Sequence, residues 1–99
     1  MRITEQQRKA IVSAVKQIAG AQAQVRLFGS RLYDDQKGGD IDLLITLFEE
    51  VTQPAWLMAR IQSRILLQIG EQKVDIVLSA PNLMRQPIHE IAEQQGVLL

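Results

Sequence analysis

The segment from Asp40 to Leu47 constrains the fold of this chain more than any other part of the sequence. It begins with alternating acidic and apolar residues and continues as the uninterrupted apolar run Leu43-Leu44-Ile45. A strand with apolar residues in succession has both faces buried, which predicts a place at the centre of a sheet with helices packed against it. A chain of 99 residues has room for one such sheet, so we expect a single domain over residues 1–99.

The other apolar patterns alternate between helix and strand. Helices are predicted over about residues 4–19, 54–69 and 87–95, and strands over about 25–28, 40–47 and 73–79. Thr4 and Gln7 have the spacing of a capping box, and Thr52 is the expected N-cap of the second helix. A helical crossover favours parallel pairing of the second and third strands, whereas the short loop before the second strand favours antiparallel pairing with the first. The expected fold class is α/β (α+β), a small mixed β-sheet flanked by helices.

Composition excludes several classes of protein. Eleven Lys and Arg balance eleven Asp and Glu, so general nucleic-acid binding, which needs a basic excess, is not expected. The absence of cysteine rules out disulfides and thiolate metal sites and favours a reducing, cytoplasmic location. No apolar run approaches the ~20 residues of a membrane span. With His89 as the single histidine, a bound metal would be held mainly by carboxylates, which are the ligands of Mg²⁺ or Mn²⁺.

Three aspartates interrupt or precede predicted strands. Asp40 and Asp42 are two residues apart and therefore point to the same side of the sheet. Asp75 lies in the apolar segment 74–78 with a parity that lets it meet them from the neighbouring strand. Three convergent carboxylates would form a two-metal site of the kind used in phosphoryl or nucleotidyl transfer. Alternatively, the Asp-x-Asp pair marks a strand start by chance, and Asp75 pairs with a basic residue or lies at a solvated strand end.

Gly29-Ser30 ends the first predicted strand and is expected to open a short helical turn over residues 30–33. Freed backbone amides and the serine hydroxyl are suited to the terminal phosphates of a nucleotide, although a Gly-Ser pair is usually a plain turn. Arg31 follows this turn and Lys37 lies in the next loop. Each is interpreted either as a phosphate contact or as a solvated surface charge.

Three segments together resemble the signature of the DNA polymerase beta-like nucleotidyltransferase superfamily. They are Leu27-Phe28-Gly29-Ser30-Arg31, Gly39-Asp40-Ile41-Asp42-Leu43-Leu44-Ile45 and Lys73-Val74-Asp75-Ile76-Val77. In its short length and in the Arg that follows its Gly-Ser pair, the chain is similar to the minimal nucleotidyltransferase branch of this superfamily. The resemblance covers residues 25–78, and the spacing from Ser30 to Asp40 is slightly shorter than is typical of that branch.

The resemblance implies a role for each matched residue. Gly29 and Ser30, with Arg31 beside them, would hold the triphosphate of ATP. Asp40 and Asp42 would ligate both Mg²⁺ ions, and Asp75 would complete the second metal site and help to activate the acceptor hydroxyl. The implied reaction transfers a nucleoside monophosphate, usually AMP from ATP, with release of pyrophosphate. In related bacterial systems such proteins are antitoxins that modify a tyrosine on a helical HEPN-domain ribonuclease.

Two further functions remain as alternatives. One is an inactive relative that neutralises its partner by stoichiometric binding, and the other is an enzyme for a small-molecule acceptor whose site forms across a homodimer. Trp56 is expected in the core, or partly exposed at an interface, while Arg60 and Arg64 are interpreted as a solvent-facing stripe or a partner patch. His89 is expected to be structural.

Overall fold

A computed structural model describes residues 1–33, 39–70 and 72–99 of the chain. Within those ranges the elements, in chain order, are α1 (Glu5–Ala19), β1 (Gln24–Phe28), a 3₁₀ helix (Gly29–Leu32), β2 (Ile41–Thr46), α2 (Pro54–Ile69), β3 (Val74–Ser79), α3 (Pro87–Gln95) and β4 (Val97–Leu98). The predicted fold class is confirmed, since the strands form one mixed sheet flanked by helices.

The sheet has the strand order β3-β2-β1-β4 within the described residues. β2 runs antiparallel to β1 and parallel to β3, as the sequence predicts. The sequence did not predict β4, which pairs antiparallel with β1 through Leu27 and Val97. A strand of two exposed residues is too short to carry a periodic pattern.

β2 is buried on both faces, which confirms its central position. Leu43 and Ile45 point into the main core, where side chains of α1 and α2 cover the sheet. Leu44 points the other way and packs with Phe28 of β1 and Ala92 of α3 in a second, smaller core. Helices on both faces therefore exclude water from the strand that carries Asp42, and this fixes the register of the sheet.

The helix starts differ in how well the sequence predicts them. Thr4 caps α1 through a complete capping box, in which its hydroxyl accepts from the Gln7 amide at 3.0 Å and the Gln7 side chain accepts from the Thr4 amide at 2.9 Å. The prediction that Thr52 caps α2 is wrong, because the N-cap is Gln53, without a side-chain hydrogen bond. Pro54 occupies the first helical turn, so the residue just before it takes the cap position and is kept out of the helical region.

Two other expectations are settled by burial. His89 is structural as predicted: it is 5% exposed, and its Nε2 donates to the Leu78 carbonyl at 2.9 Å while its Nδ1 accepts from the Gln86 amide at 2.9 Å. Trp56 is 58% exposed, so of its two expected positions the core is wrong and the exposed one is confirmed, while a role at an interface stays a prediction. It lies on the outer face of α2 because the inner face is occupied by Ile61 and Ile65. In the described residues, no helix is long and apolar enough to cross a membrane.

Candidate active site

The candidate site lies at one end of the sheet, where β1 ends and β2 and β3 begin. The strand directions produce this convergence, because β1 is antiparallel to β2 while β3 is parallel to it. Phe28 pairs with Asp42, and Asp42 pairs with Asp75. The Gly29–Leu32 turn follows Phe28 directly, so all three sequence motifs meet at this end of the sheet.

Asp42 and Asp75 are direct neighbours on adjacent parallel strands. Residues paired in this way project to the same face of a sheet, which here is the face that α3 covers further along through Leu44. Asp42 is half-buried and Asp75 is exposed. The exposure of Asp75 means that this carboxylate is in contact with solvent, as expected for the alternative of a solvated strand end.

The surroundings of Asp42 disfavour its negative charge. Burial, and then the charges of Asp75 and Asp40, raise the pKa of Asp42 above its ordinary value, while Lys73 opposes the rise. Asp75 is paired with Asp42 in the register of the sheet, and Asp40 lies two residues before Asp42. A divalent cation is the group that would relieve this repulsion.

Asp40 precedes β2 and forms an ion pair with Lys73, whose Nζ lies 3.4 Å from Asp40 Oδ2. The two side chains are 41% and 71% exposed, so this pair contributes little to stability. Its importance is local, because it places a positive charge beside the carboxylate of Asp40. Lys73 starts the segment that leads into β3 and was not singled out as a site residue from the sequence.

Two glycines bring the backbone against site side chains. Gly29 has φ +77°, and a Cβ at this position would collide with the Asp42 carboxylate. Gly39 has φ +91°, and a Cβ there would collide with the Ser30 hydroxyl. Both positive φ values also disfavour any side chain. Glycine is therefore required where the Gly29–Leu32 turn packs against Asp42 and where the chain returns past Ser30.

The predicted helical turn is present as the 3₁₀ helix, beginning at Gly29 rather than at Ser30. The Tyr33 amide closes it by donating to the Ser30 carbonyl at 3.2 Å. The Ser30 side chain lies against Gly39, which immediately precedes Asp40.

Arg31 makes contacts that the sequence did not suggest. Its Nε donates to the Gly39 carbonyl at 3.2 Å, and its two terminal nitrogens donate to the Arg2 carbonyl and to Gln72 Oε1, each at 3.0 Å. Arg2 and Gln72 are separated from Arg31 by 29 and 41 positions. Contacts of such separation leave no local signal, so sequence reasoning missed both partners.

The described residues do not place three Asp, Glu, His or Cys side chains as a ready-made metal cluster. The donor set nevertheless fits Mg²⁺ in kind, since Asp40, Asp42 and Asp75 supply hard carboxylate oxygens and Asp42 carries an unfavourable charge. Lys37 and the turn residues Asp34, Asp35 and Gly38 lie outside the described residues.

A cavity of about 440 Å³ lies at the opposite end of the sheet. It lies between the end of α1 and the segment after β2. Its lining comes from residues 18–23, 47–51 and 57, and includes none of the six candidate residues. This cavity is therefore separate from the carboxylate end of the sheet.

The resemblance of the chain to the DNA polymerase beta-like nucleotidyltransferase superfamily is supported by a comparison with protein families. A family model described as "Nucleotidyltransferase domain" matches residues 8–96, and the chain belongs to this family. Its general activity is therefore nucleotidyl transfer. No curated protein and no solved structure matched the chain in the corresponding comparisons.

Proposed function

We propose that the protein is a Mg²⁺-dependent nucleotidyltransferase that moves AMP from ATP onto a hydroxyl group of a protein partner. The observation that carries this proposal is the pairing of Asp42 with Asp75 on neighbouring strands, with the Gly29 backbone packed against the Asp42 carboxylate. Carboxylates grouped in this way are suited to holding the metal ions that promote a reaction between a triphosphate and a hydroxyl.

In this reaction the acceptor oxygen attacks the α-phosphorus, the bond from that phosphorus to the bridging oxygen of the β-phosphate breaks, and pyrophosphate leaves. Ser30 and the backbone of the Gly29–Leu32 turn bind the terminal phosphates. Asp75 accepts the proton of the attacking hydroxyl. Mg²⁺ held by Asp40, Asp42 and Asp75 would neutralise charge on the phosphates and on the attacking oxygen.

A protein acceptor is favoured by the openness of the site. Asp75 and Lys73 are both exposed, so a bulky surface can approach the edge strand β3. With the resemblance to the minimal branch, this supports a role as the antitoxin of a toxin-antitoxin pair, with a helical HEPN-domain protein as the modified partner. Such a role belongs to the cytoplasm, where ATP and Mg²⁺ are plentiful.

The test is an incubation of the protein with α-labelled ATP, Mg²⁺ and the product of the adjacent gene. We expect label on that partner, and the Asp42→Asn variant should reduce labelling by at least about 100-fold, the loss typical of removing one preorganised electrostatic group from an active site. Glu49→Gln, which neutralises an exposed carboxylate beyond the far end of β2, should leave labelling unchanged.

The result that contradicts the proposal is a stable complex in which ATP binds but no label is transferred under any metal condition. That outcome would identify the protein as a stoichiometric binding module. Labelling of a small molecule by a homodimer, with none on the protein partner, would also overturn it.

A further inference from the structure

The segment before α1 is fastened to the Gly29–Leu32 turn by two arginines. The Arg2 amide donates to the Arg31 carbonyl at 2.7 Å, and one terminal nitrogen of Arg31 donates back to the Arg2 carbonyl at 3.0 Å. The Arg2 guanidinium also donates to the carbonyls of Ser30 and Tyr33, at 3.1 and 2.8 Å. The backbone on both sides of the turn is therefore held from outside.

The guanidinium of Arg31 reaches three parts of the chain at once. Its acceptors belong to Gly39, which immediately precedes Asp40, to Gln72, which immediately precedes Lys73, and to Arg2. The first two stand at the starts of β2 and β3, and a backbone hydrogen bond of 3.0 Å from the Ile41 amide to the Lys73 carbonyl joins those starts. Arg31 thus connects the turn to both strands that carry the candidate carboxylates.

This set of contacts requires the geometry of arginine. A guanidinium is a planar fork of N–H donors in fixed directions, whereas a lysine ammonium is a single point of charge on a flexible stem. Arg31 uses at least one N–H on each of its three nitrogens for acceptors of this chain, and two of the three bonds are partly buried. A phosphate that bound the same N–H groups would have to displace these bonds.

We propose that Arg31 is a positioning residue rather than a phosphate ligand. Together with Arg2 and Gln72, it fixes the Gly29–Leu32 turn relative to the starts of β2 and β3, so that the turn and the carboxylates form one site. The test of this proposal has two measurements, and only the one that follows nucleotide binding depends on the proposed nucleotidyl-transfer function.

The test is a double-mutant cycle on Arg31→Lys and Gln72→Ala in the full chain, with the affinity for Mg²⁺-ATP measured by calorimetry. Arg31→Lys keeps the positive charge but loses the planar guanidinium group and its fixed N–H directions. We expect it to weaken the binding of Mg²⁺-ATP by about tenfold, which corresponds to one charged hydrogen bond. Gln72→Ala should weaken binding in the same direction, and adding it to Arg31→Lys should weaken binding no further, because both remove the same brace.

The chain supplies a matched control. Arg64 donates to Gln17 Oε1 at 2.8 Å between α2 and α1, which is another arginine–glutamine bond away from the site. Arg64→Lys and Gln17→Ala should each leave the affinity for Mg²⁺-ATP within about twofold of wild type. A direct phosphate contact by Arg31 would instead leave Gln72→Ala without effect, and that result would overturn the proposal.

A second readout does not depend on nucleotide. Hydrogen exchange should accelerate in Arg31→Lys at the amides of Arg2 and Tyr33, which donate to the turn, and not at the amides of α2. Unchanged exchange at these two amides would overturn the positioning role. A wild-type protein that does not bind Mg²⁺-ATP at all would instead contradict the proposed function, while the exchange measurement would still decide the role of Arg31.

Discussion

Asp42 is surrounded by groups that oppose its charge. It is half-buried, Asp75 lies beside it on β3, Asp40 is two residues away, and the Gly29 backbone packs against its carboxylate. These neighbours hold the pKa of Asp42 above its ordinary value of 3.8, with burial as the largest cause. The metal-free protein therefore loses stability when this group ionises, as is common where a site is arranged for a ligand rather than for folding.

Asp42→Asn should make the metal-free protein at least as stable as wild type at neutral pH. Because the folded-state pKa is raised, the stability linked to Asp42 is fully present below the unfolded value and is lost as pH rises through the folded one. The free energy of unfolding of the variant, relative to that of wild type, should therefore increase from about pH 3.5 to about pH 7. Urea unfolding in EDTA at both pH values measures the difference.

The matched variant for this experiment is Asp75→Asn, which removes one source of the repulsion without touching the buried carboxylate. It should show a smaller gain in stability over the same range, since burial is a larger cause of the raised pKa than the charge of Asp75. A marked loss of stability in metal-free Asp42→Asn would mean that the carboxylate is a structural ion-pair partner, contrary to this account.

At this scale, the sequence reveals residues whose chemistry is out of place in their element. Asp42 and Asp75 stand out because charged groups rarely occur in apolar strands, and Gly29 because it ends such a strand. Arg31 could not be assigned in the same way, because its role depends on Arg2 and Gln72, which folding brings from 29 and 41 positions away. A surface arginine and a bracing arginine are identical in a sequence.

Among the elements, β2 carries one polar atom that the fold does not satisfy. Thr46 ends β2 on the face of Asp42 and Leu44, between Gln24 of β1 and Ser79 of β3. Among the described residues its Oγ1 is buried without a hydrogen-bond partner. A buried hydroxyl in this condition costs about 1–3 kcal/mol, and the cost is independent of the candidate site at the other end of the strand.

Thr46→Val should stabilise the protein by about 1 kcal/mol, because it replaces the unsatisfied hydroxyl with a methyl group of similar shape and keeps the β-branched side chain that strands favour. Thr46→Ser is the control, since it keeps the hydroxyl and removes the methyl group of a half-buried side chain, and it should lower stability by at most about 0.8 kcal/mol. Chemical denaturation of the three proteins gives both values. A destabilised Thr46→Val would show that the hydroxyl makes a favourable interaction.

The elements that the sequence predicts best are those whose pattern is long and internally consistent. The apolar run of β2 and the capped, periodic pattern of α1 each predict their element from local sequence alone. The helix α3 has the predicted range of residues 87–95. β4 depends instead on its pairing with the neighbouring β1, which continues past the strand in a hydrogen bond from the Leu99 amide to the Val25 carbonyl at 2.9 Å. Its existence follows from tertiary structure, which a local pattern does not contain.

Over the whole molecule, the candidate site and the main core lie in different parts of the fold and have different properties. The end that holds Asp42 and the Gly29–Leu32 turn carries charged, partly exposed side chains, whereas the main core between the sheet and the helices α1 and α2 is apolar. Ligand binding at the charged end should therefore add to the stability of the protein without rearranging its core.

Mg²⁺ with ATP should raise the thermal unfolding midpoint of wild type by mass action. Ligand at about 100 times its dissociation constant adds about 2.7 kcal/mol to the free energy of unfolding. Asp42→Asn should show little of this shift, and EDTA should abolish the part that depends on the metal. Differential scanning calorimetry across a ligand titration measures it, and an equal shift in the variant would place the ligand elsewhere on the protein.

The mixed sheet also sets the order in which the candidate site can be assembled. Phe28 and Asp42 are joined by a local antiparallel pairing, but Asp75 reaches Asp42 only after α2 has carried the chain across to a parallel strand. Closing that longer loop costs more chain entropy and is the slower kind of contact to form. A nascent chain that has emerged only as far as residue 70 thus carries the Gly29–Leu32 turn and the first two carboxylates of the candidate site, Asp40 and Asp42. The third, Asp75, joins them when β3 pairs with β2.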